Sequence, residues 1–168
     1  MIRGVGASNR DVTLQATVSL FDVQYVYFDH LRVQLDGDAF HCEACDHILI
    51  HDSTFDGGNQ IAQETIKFNQ SQHVYIENSD ISGAWDNAID FVAVQYGHIQ
   101  NNKIHNAGDW CAYAKGGSAY LEVSGNDIYD CGTGGFTAGQ GTGFQFMTAP
   151  WIKYEAYDIK VINNLIHD

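Results

Sequence analysis

The sequence predicts an all-β solenoid, and two observations carry that prediction: a segment that recurs about every 23 residues, and period-two alternation inside each copy. Five copies align: HILIHDSTFDG from His47, HVYIENSDISG from His73, YGHIQNNKIHN from Tyr96, YLEVSGNDIYD from Tyr120 and DIKVINNLIHD from Asp158. YVYFDHLRVQL from Tyr25 is a weaker sixth. The shared apolar position falls at Phe28, Ile50, Ile76, Ile99, Val123 and Val161, in steps of 22, 26, 23, 24 and 38 residues by subtraction. Five residues later each copy has another apolar side chain, Val33, Phe55, Ile81, Ile104, Ile128 and Ile166. A further strand precedes each copy, marked by Val18 and Leu20, Phe40 and Cys42, Ile66 and Phe68, Ile89 and Phe91, Ala112 and Ala114, and Phe144 and Phe146. Helical spacing is absent and Asn, Asp and Gly mark the corners, so each coil stacks on the next at about 4.8 Å.

Composition agrees with one domain that has a core. The chain has 168 residues, 45% apolar, 17% charged and 12% aromatic, which excludes disorder. Thr133 to Ile152, a long uncharged stretch, is broken by glycines and polar groups and is no transmembrane span. MIRGVGASNR shows no signal peptide; a secreted or cell-surface location is the expectation if the full-length protein carries one. Eight basic against 21 acidic residues give a net charge of −13, which disfavours nucleic acid and membrane partners.

The corners carry an N-x-I motif, as Asn102-Lys103-Ile104, Asn126-Asp127-Ile128 and Asn164-Leu165-Ile166, with Ser53 and Ser79 in the earlier coils. Over roughly Val18 to Asp168 the chain resembles the right-handed parallel β-helix family, the pectate lyase-like superfamily. The resemblance implies an all-β, single-stranded right-handed parallel β-helix of about six to seven coils, with Leu20, Phe68, Phe91 and Phe146 in one internal stack. It also implies polysaccharide as the default ligand, while the architecture itself hosts lyases, hydrolases, epimerases and non-catalytic proteins.

The recurring asparagines read as a structural ladder along one corner. Cys42, in register with Leu20 and Phe68, reads as a small buried core residue, and a zinc site of Cys42 and Cys45 with His41, His47 or His51 would need inward and outward side chains to converge. Cys111 and Cys131 fall at different places in their coils, which argues against a bridge.

Chemistry is expected on the outward side of the strands that precede each copy. One column reads Ser19, His41, Lys67, Asp90, Tyr113, Gln145, and a second, two residues along, reads Phe21, Glu43, Asn69, Val92, Lys115, Met147. Histidine, lysine, aspartate and tyrosine on one strip suit acid–base work, which makes Lys67, Asp90, Tyr113, Lys115 and His41 the candidate catalytic residues. Two insertions flank the last coil, GTGGFTAGQGTG from Gly132 and TAPWIKYEAYD from Thr148. Insertions in solenoids cluster on binding faces, so Trp151, Tyr154 and Gln145 are candidate sugar contacts. Asp86 and Asp109 each follow an apolar reference by five residues, and stacking them on adjacent coils makes a candidate calcium site.

The resulting expectation is a carbohydrate-active protein, polysaccharide lyase-like, acting on or binding an acidic polysaccharide; the alternative is a non-catalytic carbohydrate-binding or structural β-helix. A lyase would use lysine to neutralise the uronate and Tyr113, His41 or a lysine as base. Hydrolysis is disfavoured, because the nearest outward acids, Asp90 and Glu43, lie roughly 12 Å apart when a glycosidase needs about 5 to 9.5 Å. The chain ends at NNLIHD directly after a repeat strand and begins with IRGVG, which reads as coil interior. Residues 1–168 are therefore expected to be one β-helix domain, a fragment of a longer β-helix protein or a chain that self-associates through an uncapped end. The other reading of the first 17 residues is that they fold over one end.

Overall fold

A computed structural model describes residues 1–8, 11–148 and 154–168. Among the described residues every strand pairing is parallel, and the chain winds into a right-handed β-helix of about six turns with three sheets. Sheet A has seven strands, from Ile2–Arg3 through Asp46–His51 and Gln72–Glu77 to Ala156–Ile162. Sheet B also has seven, from Thr13–Leu14 through Lys103–Ala107 and Asp127–Cys131 to Leu165–His167. Sheet C has six: Val18–Phe21, Phe40–Glu43, Glu64–Asn69, Asn87–Val92, Trp110–Lys115 and Gly134–Ala138. The strands Ile2–Arg3 and Thr13–Leu14 add to sheets A and B, so this segment continues the coil and does not fold across it.

The lumen is apolar. Phe28, Phe40, Phe55, Phe68 and Phe91 are fully enclosed, and Phe40 meets Phe28 and Phe55 edge-on at 5.3 and 5.8 Å. Such edge-to-face pairs add to what area burial alone supplies. Leu20 packs only partly against this cluster. Phe146 does not join it. Phe144–Phe146 forms a short 3₁₀ turn, 82% and 52% exposed at its two phenylalanines, and the last strand of sheet C is instead Gly134–Ala138, with Phe136 stacked on Ala112. The alternation of Phe144 and Phe146 gave a strand signal, but the glycines before it had already supplied the paired strand, leaving this segment as an excursion.

At the corner from sheet A to sheet B the predicted ladder is present. Asn126 Nδ2 donates to Ile99 O at 2.8 Å and to Asn164 Oδ1 at 2.9 Å; Asn102 Nδ2 donates to Ile76 O at 2.9 Å and to Asn126 Oδ1 at 3.0 Å. Backbone amides join in: Asn126 N donates to Asn164 Oδ1, Asn102 N to Asn126 Oδ1, Ser79 N to Asn102 Oδ1, Ser53 N to Ser79 Oγ and Leu31 N to Ser53 Oγ. Each side chain thereby satisfies a buried backbone group that the corner withholds from the sheets.

The cysteines depart from the expectation. Two disulfides form, Cys42 to Cys45 and Cys111 to Cys131. Cys42 is enclosed as expected, but the left-handed residue Ala44 (φ 55°) turns the chain so that Cys45 is enclosed beside it. Cys131 stacks on Ala107 at the end of sheet B, and Cys111 lies four residues beyond Ala107 at the start of sheet C. Their different places in the coil are no obstacle, because the two sheets meet at this corner. Strict alternation from Ala112 would turn Cys111 outward; at the corner alternation breaks, Cys111 and Ala112 are both fully enclosed, and Cys131 is half-buried against the core.

Two stability measurements follow. Asn102→Ala should cost about 1–3 kcal/mol by stranding buried backbone groups, and Asn102→Ser should cost less, since Ser79 and Ser53 do the same work one and two coils earlier. Replacing Cys111 and Cys131 together with alanine should cost about 2–4 kcal/mol in denaturant unfolding, with the fold retained.

Candidate functional site

Sheet C places the predicted columns in register. Ser19, His41, Lys67, Asp90 and Tyr113 pair coil to coil, as do Phe21, Glu43, Asn69, Val92 and Lys115. The next step after Tyr113 is Thr137, so Gln145 is not in the first column nor Met147 in the second. Ile89 and Phe91 lie in the lumen, as the register requires.

The outward groups are unevenly open to solvent. Asp90 is 0% and Tyr113 3% exposed, although both lie on the outer face. Lys67 Nζ lies 3.1 Å from Asp90 Oδ2 and 3.0 Å from Glu64 Oε1, with 25% of its side chain exposed. Glu64 was not among the candidates, because it shares parity with the inward Ile66 and Phe68. Thr65 and Ile66 are both enclosed, and this second break in alternation brings Glu64 and Lys67 together, three residues apart. The signal available in the sequence was the Glu-x-x-Lys spacing alone.

Burial, opposed by the Lys67 ammonium and reinforced by the Asp90 charge, pushes the Glu64 carboxyl up to about 7. For Lys67 burial acts downward, but Asp90 and Glu64 outweigh it and raise its pKa. Burial and then the Asp90 charge push the Tyr113 phenol far above its ordinary value. Glu64 and Asp90 both touch one ammonium and hydrogen-bond to each other, closer than the about 5 to 5.5 Å of a retaining glycosidase pair. Both carboxyls are also enclosed, and Lys67 is bound to both.

Beside this cluster the strip is half-open. Asn69 Nδ2 lies 3.3 Å from His41 Nε2, and Lys115 Nζ sits 4.5 Å over the Tyr113 ring. The excursion after Gly134–Ala138 walls one side. Gln70 Nε2 donates to Phe146 O at 2.7 Å, Thr148 N to Gly116 O at 3.1 Å, and Glu155 accepts from Gly116 N at 2.9 Å and Thr142 Oγ1 at 2.7 Å. Burial acts upward on Glu155, but these hydrogen bonds, with Lys115 nearby, hold its carboxyl below the ordinary range. Gln145 is exposed on this excursion. Tyr154 is exposed too, but its ring lies 6.4 Å from that of Tyr157, toward sheet A. Trp151 lies outside the described residues. Asp86 and Asp109 stack on adjacent coils, Asp109 N donating to Asp86 O at 2.8 Å, while Asp86 Oδ2 accepts from Gln63 Nε2 at 3.4 Å.

A family model described as a right handed beta helix region matches residues 15–165. The chain belongs to this β-helix family. No curated protein and no solved structure matches it. Membership fixes the coil and leaves the chemistry to the β-helix's own side chains.

Glu64 gives a pH signature. A carboxyl with a raised folded-state pKa binds its proton more tightly folded than unfolded, so its contribution to stability is complete below the ordinary value of 4.5 and is lost as pH rises through about 7. Glu64→Gln should therefore remove this loss. Thermal unfolding across that window should find the variant gaining on the parent protein as pH rises, with the difference level above pH 7.

Proposed function

We propose that this β-helix binds an acidic polysaccharide along the outer strip of sheet C. The observation that carries the reading is the placement of Lys67 and Lys115, two of only eight basic residues in the chain, on adjacent columns two coils apart. That is roughly 9.6 Å along the helix axis at the usual strand spacing, a step suited to a polymer with regularly placed carboxylates. His41, Glu43 and Asn69 offer hydrogen-bonding groups alongside, and the excursion carrying Gln145 forms a side wall. Asp86 and Asp109 supply two carboxylates; a calcium ion there would need further oxygen ligands, which a bound uronate could provide.

Binding is better supported than elimination. Lyase chemistry needs an accessible base, and Tyr113 is enclosed, set against Asp90 and held protonated far beyond neutral pH. Lys67 is engaged by two carboxyls. Of the proposed catalytic residues, His41 and Lys115 are the half-open bases that remain.

Isothermal titration against pectate, alginate and glycosaminoglycans, with and without calcium, tests this, while ultraviolet absorbance is monitored for unsaturated uronate. Binding without new absorbance is the expected result. New absorbance with one polymer would establish lyase turnover, and no binding to any of them would refute the proposal. Lys115→Ala should abolish binding with an almost unchanged thermal midpoint, because a half-open strand lysine contributes little to folding.

A further inference from the structure

A second cluster lies on sheet A, away from the strip. His47 and His73 occupy the same left-handed position of successive coils, with φ of 55° and 51°. Asp46 immediately precedes His47 and pairs in register with Gln72. Both imidazoles turn the same atom to the same oxygen: Nδ1 of His47 and Nδ1 of His73 each lie 2.8 Å from Asp46 Oδ1. Their rings stack at 4.2 Å, and the stack continues to Tyr25 at 4.6 Å from His47 and to Tyr96 at 5.3 Å from His73. The four rings thus hold the two imidazoles in place. Other histidines, such as His98 with Glu77 and His105 with Asp80, face a carboxylate singly.

We propose that Asp46, His47 and His73 form a binding site for a divalent transition-metal ion of the zinc or copper(II) type, which clips two neighbouring coils together. The donor set argues for that class. Two imidazole nitrogens and one carboxylate oxygen suit zinc or copper, whereas calcium and magnesium demand oxygen ligands. Spacing agrees as well. Ligand atoms about 2.0–2.1 Å from one ion lie roughly 3 Å apart, and the two nitrogens already converge on a single oxygen at 2.8 Å. All three ligand atoms fall within 4.8 Å of one another.

Proton accounting is simple. Each neutral imidazole that now donates from Nδ1 moves its proton to Nε2 and offers Nδ1 to the ion, so no proton need leave the site. Roughly a third of each side chain is exposed, which gives an ion access and leaves room for a water or a ligand group to complete the coordination.

Zinc titrated calorimetrically into the chelator-treated full chain tests the proposal. One zinc per chain and a raised thermal midpoint are expected. His47→Tyr and His73→Tyr keep an aromatic ring in the stack, as Tyr25, Tyr96 and Tyr120 do at equivalent positions, and each should weaken zinc binding by about tenfold or more. His98→Gln should leave it unchanged. In the unmutated protein, the imidazole nitrogen resonances of His47 and His73 should shift on zinc addition whether or not the variants fold. Zinc bound equally well by the double tyrosine variant, or zinc that leaves those resonances in place, overturns the site.

Discussion

Stacking of one coil on the next is the constraint from which everything else in this molecule follows. Each interior strand of the three sheets is satisfied by the strand above and the strand below, so a register set in one coil is imposed on its neighbours. The corners threaten that register, because there the backbone leaves the sheets. The ladder from Ser53 through Asn164 answers the threat at one corner, each side chain bonding backbone groups of the adjoining coils. Small polar residues, serine in the earlier coils and asparagine in the later ones, recur there because equivalent backbone groups need a partner in every turn.

The same stacking turns isolated side chains into columns. A half-exposed histidine at one corner becomes, over several coils, the aromatic series Tyr25, His47, His73, Tyr96 and Tyr120, with neighbouring rings 4.2 to 5.3 Å apart. These residues sit at positive φ, a conformation that bulky side chains enter at a cost, and ring stacking offsets it. Because their faces are covered by one another, the series presents ring edges to solvent and is no flat platform for a sugar. The apolar character of the outer surface is thus partly internal structure. Sheet C differs, since its columns mix cations, carboxyls and amides, and the carbohydrate reading rests there.

Charge is distributed with the same logic. The chain carries a net −13, yet the Lys67 ammonium stands between Glu64 and Asp90, and histidines stand against Asp29, Asp46, Asp52, Glu77, Asp80 and Asp127. Stacked acids would otherwise repel along a column at the strand spacing. The Glu64, Lys67 and Asp90 group is the costly case: two enclosed carboxyls set against one partly exposed ammonium hold together only while every partner is present.

The coil, its parallel strands, the lumen residues and the asparagine ladder were legible in the sequence because each repeats, and repetition reveals which positions share a wall. Even the aromatic series was visible, as the histidine or tyrosine that heads the copies from Tyr25, His47, His73, Tyr96 and Tyr120. What the sequence could not determine lies where repetition fails. Glu64 beside Lys67, and Cys111 bonded to Cys131, both depend on a corner that turns two consecutive residues inward, and parity assigns them to the wrong side. Phe144 and Phe146 alternate like a strand but lie outside the coil, because Gly134–Ala138 already fills the place beside Trp110–Lys115. Which outward groups are open was decided by tertiary packing too: Asp90 and Tyr113 hold the predicted register and are nevertheless enclosed. Periodicity in a chain specifies direction relative to the coil, while distance across a corner and cover from a neighbouring segment exist only once the coils have stacked.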